Sequence, residues 1–205
     1  MCSMKLRWRI PYHLLKPLVL VLFHLRVEGA ENLPAKGGCI IACNHISYLD
    51  PPLLGFAAGR ELYYLAKEGL FDEVNKFFTW LITTYNAIPL RRGGVDISVI
   101  KRVFRLLRRG EVLVLFPEGT RSKSGELLSP KPGLGFIAWR ADVPVIPAYI
   151  RGANASIGEI LLGRQNITIT FGKAYHPLRS ERDYEAVSGA IMKRIEELSR
   201  GDNSR

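Results

Sequence analysis

The strongest constraint on this chain is the way short apolar runs alternate with longer amphipathic stretches. Apolar runs stand at Cys39–Cys43, Leu62–Ala66, Ala87–Leu90, Val112–Phe116, Val145–Ile150 and Ile167–Phe171. Each is too short for a buried helix and of the right length for a buried strand. Between them, helical patterns run over Glu73–Thr83, Ile97–Leu107, Leu134–Arg140 and Tyr184–Leu198. Strands that alternate with helices, and that are apolar on both faces, predict an α/β fold: a largely parallel sheet flanked by helices. In such sheets the chemistry collects where strands end, so the residues just after each run are the first candidates for a site.

At 205 residues, with 47% hydrophobic and 23% charged side chains, the chain is long enough for one well-buried domain. There is no internal repeat and no low-complexity linker; the tail Arg200–Arg205 is expected to fray. The net charge of +10 suits a polyanionic partner, which could be nucleic acid, an anionic membrane or a phosphorylated substrate. Cys2, Cys39 and Cys43 are odd in number and form no CxxC pair, the pattern of reduced thiols.

The N-terminal segment is basic and apolar together. Lys5, Arg7, Arg9, Lys16 and Arg26 precede any acid, and Trp8, Tyr12 and Phe23 interleave with the run from Pro17 to Phe23. That run falls short of the roughly 20 residues a spanning helix needs, and no small-residue cleavage site follows it to make it a signal peptide. Residues 1–26 are therefore read as a helix lying in the headgroup layer of an anionic membrane, and 27–205 as a single domain. The competing reading is a helix packed on the core.

Three strand exits carry unusual chemistry. After Cys39–Cys43 comes Asn44-His45-Ile-Ser-Tyr-Leu-Asp50. An imidazole, which ordinarily titrates at about 6.5, can serve as a base near neutral pH, and a carboxylate on its other ring nitrogen would fix its tautomer. Residues five apart do not meet on a regular helix, but a turn from His45 to Asp50 could join them. Asp50 also suits the cap of a helix beginning at Pro51. After Val112–Phe116 comes Pro117-Glu118-Gly119-Thr120-Arg121-Ser122, in which Gly119 admits close approach and Arg121 could grip phosphate; a solvated loop with an internal Glu118–Arg121 pair is the plainer alternative. After Ala87–Leu90 comes Arg91-Arg92-Gly93-Gly94, which suits an anionic headgroup or equally a basic surface turn.

Together these residues resemble the 1-acylglycerol-3-phosphate acyltransferase family. Asn44-His45 through Asp50 matches its NHxxxxD motif, Ile88-Pro-Leu-Arg91-Arg92 its arginine-bearing second block, Phe116-Pro-Glu-Gly-Thr-Arg-Ser122 its FPEGTRS block in full, and Val143-Pro-Val-Ile-Pro147 its apolar fourth block. The resemblance covers about Gly38 to Ile150 in order and spacing. It implies an acyltransferase domain on the cytoplasmic face of the cell membrane, peripheral or monotopic, with His45 the catalytic base and Asp50 its orienting partner. It further implies that Arg91, Glu118, Gly119, Thr120 and Arg121 bind substrate, with Lys67 in Ala-Lys-Glu-Gly-Leu-Phe71 a further phosphate ligand. The expected substrates are a lysophospholipid acceptor, 1-acyl-glycerol 3-phosphate acylated at sn-2, with glycerol 3-phosphate or another lysophospholipid as the alternative, and an acyl thioester on CoA or acyl carrier protein. No cofactor and no metal are expected, since HExxH and common zinc spacings are missing.

Two rivals stand beside this expectation. A covalent enzyme could use Cys43 with His45, although there is no GxSxG elbow. A non-catalytic binder of anionic lipid or nucleic acid would explain the charge, but it leaves His45, Asp50 and the FPEGTRS turn without a purpose, and no nucleic-acid motif is present.

Overall fold

The computed structural model describes residues 6–72, 79, 82–84, 86–90, 96–178, 180 and 182–201, with only the backbone for 6–11 and 72. In chain order the elements are α1 (Leu6–Leu22), β1 (Leu25–Glu28), a 3-10 turn (Ala30–Asn32), β2 (Cys39–Cys43), α2 (Asp50–Ala58), β3 (Leu62–Lys67), α3 (Gly69–Asp72), β4 (Ala87–Leu90), α4 (Ile97–Arg108), β5 (Val112–Leu115), α5 (Pro132–Ala141), β6 (Val145–Arg151), α6 (Ile157–Leu161), β7 (Ile167–Phe171) and α7 (Tyr184–Gly201). The strands form a seven-stranded sheet in the order β1-β7-β6-β2-β5-β3-β4.

The expected α/β architecture is what the chain adopts. From β6 to β4 the neighbours are parallel, with β2 at the centre and every residue of it fully buried. At the other edge β7 runs antiparallel to β6, and β1 lies parallel to β7 from Leu25↔Ile167 to Glu28↔Thr170. The strands β1 and β7 thus run opposite to the rest. Their starting ends lie at the same end of the sheet at which the parallel strands finish.

The sequence reading differs from this fold at specific places. The strand β1 was not anticipated, because Leu25-Arg-Val-Glu28 alternates an inward Leu25 with an exposed Arg26 and carries no apolar run. The helix expected to begin at Pro51 is α2, which starts one residue earlier, whereas the short α6 was missed. Of the helix expected over Glu73–Thr83, residues 73–78 and 80–81 lie outside the described residues, as do 202–205 of the expected frayed tail, whereas Arg200 and Gly201 are helical.

Local chemistry explains the other elements. Asp96 caps α4 by accepting from the amides of Ser98 and Val99, and Val99, Val103, Leu106 and Leu107 bury one stripe while Arg105 and Arg108 close the last turn. Each such large apolar side chain taken from water contributes about 1.5–3 kcal/mol before the cost of ordering it. Gly135 in α5 lets that helix meet α7 at the backbone of Tyr184, where any Cβ would collide. Its N–H donates to Ser188 Oγ, which in turn donates to Lys131 O. The buried Arg60 guanidinium donates to the carbonyls of Pro34, Gly37 and Gly110, tying the approaches to β2 and β5 together.

α1 sets one face on the core, as the competing reading of the N-terminal segment expects. Val19, Leu20 and Phe23 pack on the core, and Tyr12 stacks on Phe56 of α2 and donates to its carbonyl. The opposite stripe, Leu14, Leu15, Leu18, Val21 and Leu22, is exposed. Among the described residues no helix is long and apolar enough to cross a membrane.

Candidate active site

The site grows from the end of β2. Register pairing of β2 with β6 stops at Cys43↔Ala148, and the buried Asn44 side chain continues it: Nδ2 donates to Ile150 O at 3.0 Å and Oδ1 accepts from Ile150 N at 2.8 Å. This amide clamp fixes where the chain leaves the sheet, one residue before His45. The sequence reading gave Asn44 no task; its signal was a fully polar side chain directly after an apolar strand.

The turn from residue 45 to 50 does bring His45 and Asp50 together. His45 Nδ1 lies 2.7 Å from Asp50 Oδ2, and the same oxygen accepts from the amides of Ile46 at 2.7 Å and Ser47 at 2.8 Å. Asp50 is not the helix cap expected of it. It is the first residue of α2, Leu49 holds the cap position, and Pro51 and Pro52 follow in the first turn, where a missing N–H costs nothing. The carboxylate is therefore released to turn back onto the loop, and it is completely buried. The His45 side chain keeps 18% of its surface exposed, and its ring stacks on Phe116 with centroids 4.0 Å apart.

Phe116 carries the second exit into the same place. Gly119 N donates to Phe116 O at 3.0 Å, and Gly119 has φ 65, a left-handed backbone that glycine adopts without strain. Ser122 N donates to His45 O at 2.8 Å, locking this turn onto the loop of residues 45–50. The Arg121 guanidinium lies 3.5 Å from the centroid of the exposed Tyr48 ring, so a cation–π contact holds it beside the loop. Thr120 is exposed on the turn. Lys131 was missed in the sequence: its side chain lies alongside Gly119, within 3.2 Å of where a Cβ there would stand. The Lys-Pro-Gly that starts α5 was its signal.

Glu118 departs from the expectation of substrate contact. Its side chain turns inward and is 2% exposed, and neither carboxyl oxygen has a hydrogen-bond partner within the described residues. Burial pushes this carboxyl up to about 7; the nearby amides of His45 and Leu128 temper the rise, and the Asp50 carboxylate adds to it. From an ordinary value of 4.5 up to about 7, the unfolded chain releases this proton while the folded chain keeps it. Stability contributed by the neutral carboxyl is thus fully present below pH 4.5 and lost as pH rises through about 7. The Glu118→Gln variant should lack that loss. Urea midpoints measured across this range should fall for the natural chain and stay flatter for the variant; parallel curves would refute the buried neutral carboxyl.

Lys67, at the end of β3, reaches the same end of the sheet but stands two strands from β2, beside Leu90 in register. Arg91 follows Leu90 and lies outside the described residues. Cys43 offers no nucleophile. It is completely buried, and burial first, then the Asp50 and Glu118 carboxylates, hold its thiol well above its ordinary value.

A family model described as Acyltransferase matches residues 24–151, the stretch that holds every residue of this site. The chain belongs to the acyltransferase family. The acyltransferase is 31% identical over 190 residues to the 1-acyl-sn-glycerol-3-phosphate acyltransferase of Bacillus subtilis, covering 90% of this chain and 92% of that one. Against the alpha form of that enzyme from Homo sapiens it is 33% identical over 152 residues, 65% of this chain and 50% of the human one. The crystal structure of the 1-acyl-sn-glycerophosphate acyltransferase PlsC from Thermotoga maritima superposes with a TM-score of 0.67 at 25% identity, over 96% of this chain and 84% of that one. The acyltransferase is an enzyme with an α/β sheet, as the motifs implied.

Proposed function

We propose that this acyltransferase transfers a fatty acyl group from a thioester, on CoA or acyl carrier protein, to the sn-2 hydroxyl of 1-acyl-glycerol 3-phosphate, forming phosphatidic acid. The observation that carries the reading is the His45–Asp50 pair, 2.7 Å apart, standing in one loop cluster with Arg121. The ring nitrogen of His45 not engaged by Asp50 takes the hydroxyl proton as the acceptor oxygen attacks the thioester carbonyl carbon. Collapse of the tetrahedral intermediate breaks the carbon–sulfur bond, and the same proton passes from His45 to the departing sulfur. No cofactor beyond the thioester is used. In the 118–122 turn the amides of Gly119 and Ser122 are committed to Phe116 O and His45 O, so those of Glu118, Thr120 and Arg121 are the donors proposed for the oxyanion. The acceptor phosphate falls to Arg121, with Lys67 and Arg91 as further cations, and Glu118 supports the loop from beneath.

Purified enzyme offered lysophosphatidate, glycerol 3-phosphate and other lysophospholipids, with both thioester donors, tests this when the lipid products are identified. Phosphatidic acid from lysophosphatidate is the expected product; exclusive acylation of glycerol 3-phosphate would replace the reading. In the same assay Arg121→Ala should raise the acceptor KM about 10- to 100-fold, the cost of a lost charge-assisted hydrogen bond of roughly 1.5–3 kcal/mol. Tyr48→Ala should reproduce about a two- to fivefold share of that change, and Tyr48→Phe none, because the ring face carries the contact. Normal acceptor kinetics in Arg121→Ala would move the phosphate to Lys67.

We place the enzyme as a peripheral protein on the cytoplasmic membrane face, with the exposed stripe of α1 in the headgroup layer. Removing residues 1–25 would also strip core contacts and the first residue of β1, so serine at Leu14, Leu18 and Val21 is the cleaner test. These changes should shift the enzyme from the pellet to the supernatant when sedimented with anionic vesicles, most completely at high salt, where the screened charge term no longer helps. Unchanged sedimentation at high salt would remove α1 from the membrane contact.

A further inference from the structure

We propose that the turn built on α6, residues 157–163, is a second lipid-contacting element, and that with α1 it seats the catalytic end of the sheet on an anionic bilayer. The proposal rests on the membrane reading above and extends it to a part of the chain that no motif covers.

The turn displays its apolar residues from a rigid base. Ile157, Leu161 and Leu162 are 54%, 48% and 69% exposed, whereas Ile160 between them is fully buried in the core. A reciprocal capping box joins Ser156 and Glu159, Gly163 N donates to Ile160 O, and Arg164 N and Gln165 N both donate to Glu159 O. So much hydrogen bonding beneath exposed leucines marks a surface held in shape, and water is a poor partner for it.

Topology puts this turn where a lipid enzyme needs it. It connects the finishing end of β6 to the starting end of β7, and β7 is antiparallel to β6. The start of β1 lies beside the start of β7, which brings the junction of α1 and β1 to the same rim. The two meet there: a Cβ on Gly163 would stand 3.2 Å from His24 Nε2. The exposed leucines of α6 therefore adjoin the exposed stripe of α1, at the sheet end where His45 leaves β2.

Charge selects the occupant. Arg164 is exposed on the turn, and Arg121, Lys123 and Lys131 outnumber Glu126 on the exit after β5, where Gly125 approaches Asn154, while Glu159 is turned back onto Ser156. Apolar side chains within a cationic rim, in a chain of net charge +10, match an anionic bilayer; a second copy would meet like charge. Contact on two adjacent elements would fix the tilt of the protein on the membrane. An acceptor could then present its hydroxyl to His45 while its phosphate stays in the headgroup layer.

The test uses the full chain with Ile157, Leu161 and Leu162 all replaced by serine, beside the natural chain and the α1 serine variant. Partition onto phosphatidylglycerol vesicles should weaken about tenfold or more in the α6 variant, and acylation of vesicle-borne lysophosphatidate should fall with it. Turnover of a short-chain, monodisperse acceptor should be unchanged, which shows that the fold and the site survive. Unaltered partition would overturn the proposal, as would loss of a dimer in sedimentation velocity without any change in partition. A natural chain that acylates lysophosphatidate yet binds no vesicles defeats the membrane reading itself. For a variant-independent readout, a polarity-sensitive fluorophore on Leu162→Cys in a Cys2→Ser background, with Cys39 and Cys43 buried, should shift to shorter wavelength on vesicles. Emission that stays at its aqueous wavelength would also overturn the proposal.

Discussion

His45→Ala should lower turnover by roughly 10²–10⁴-fold, the span of general-base assistance, while thermal unfolding and vesicle binding stay near those of the natural chain. The ring is 18% exposed and leans on Phe116 without filling a closed core position, so its loss leaves little cavity. The loop is also held without it, because Asp50 Oδ2 keeps the Ile46 and Ser47 amides and Ser122 keeps the His45 carbonyl. Single-turnover measurement with saturating thioester isolates the chemical step. Retention of more than about a tenth of natural turnover would exclude His45 as the base.

Asp50→Asn should be less damaging, by roughly 10- to 100-fold in turnover, for a different reason. A neutral amide can still accept from His45, Ile46 and Ser47, but it no longer offers a charge to the imidazolium that forms during transfer, a difference of roughly 1.5–3 kcal/mol. It also places an NH2 where Oδ1 now sits buried without a partner, at a further cost in stability of about 1–3 kcal/mol. An independent signature separates the electrostatic effect from the packing effect. The Asp50 charge helps raise both the Glu118 carboxyl and the Cys43 thiol, so in the variant the pH at which Glu118 ionises should move down toward its ordinary value. A Glu118 titration unmoved in the variant would show that the Asp50 charge does not reach Glu118.

What the sequence made legible follows from how local each signal was. The parallel strands β2 to β6 could be read because burial on both faces writes itself as an unbroken apolar run, as in Cys39–Cys43. The partnership of His45 and Asp50 was legible as a motif, and its geometry was not. The departure from a helix depends on Pro51 and Pro52 placing the start of α2 at Asp50 itself, so that the carboxylate faces backward. Long-range contacts left no local trace. Nothing near Asn44 announces Ile150, which lies 106 positions on. Nothing in the FPEGTRS block says that Glu118 turns inward while Arg121 turns outward onto Tyr48. Strand β1 was illegible for the same reason: its apolar content is two residues, and its identity as a strand is conferred by β7.

That last pairing bears on how the protein is made. Within the described sheet, β1 has β7 as its one neighbour, and its Glu28 meets Thr170 across 142 positions of chain. A ribosome adding about 5–20 residues each second delivers the strand partner roughly 7–30 s after β1 itself has been synthesised. The parallel strands β2 to β6 can assemble among themselves in that interval. The β1 edge is therefore closed only after the strands that carry His45 and Glu118 have been made.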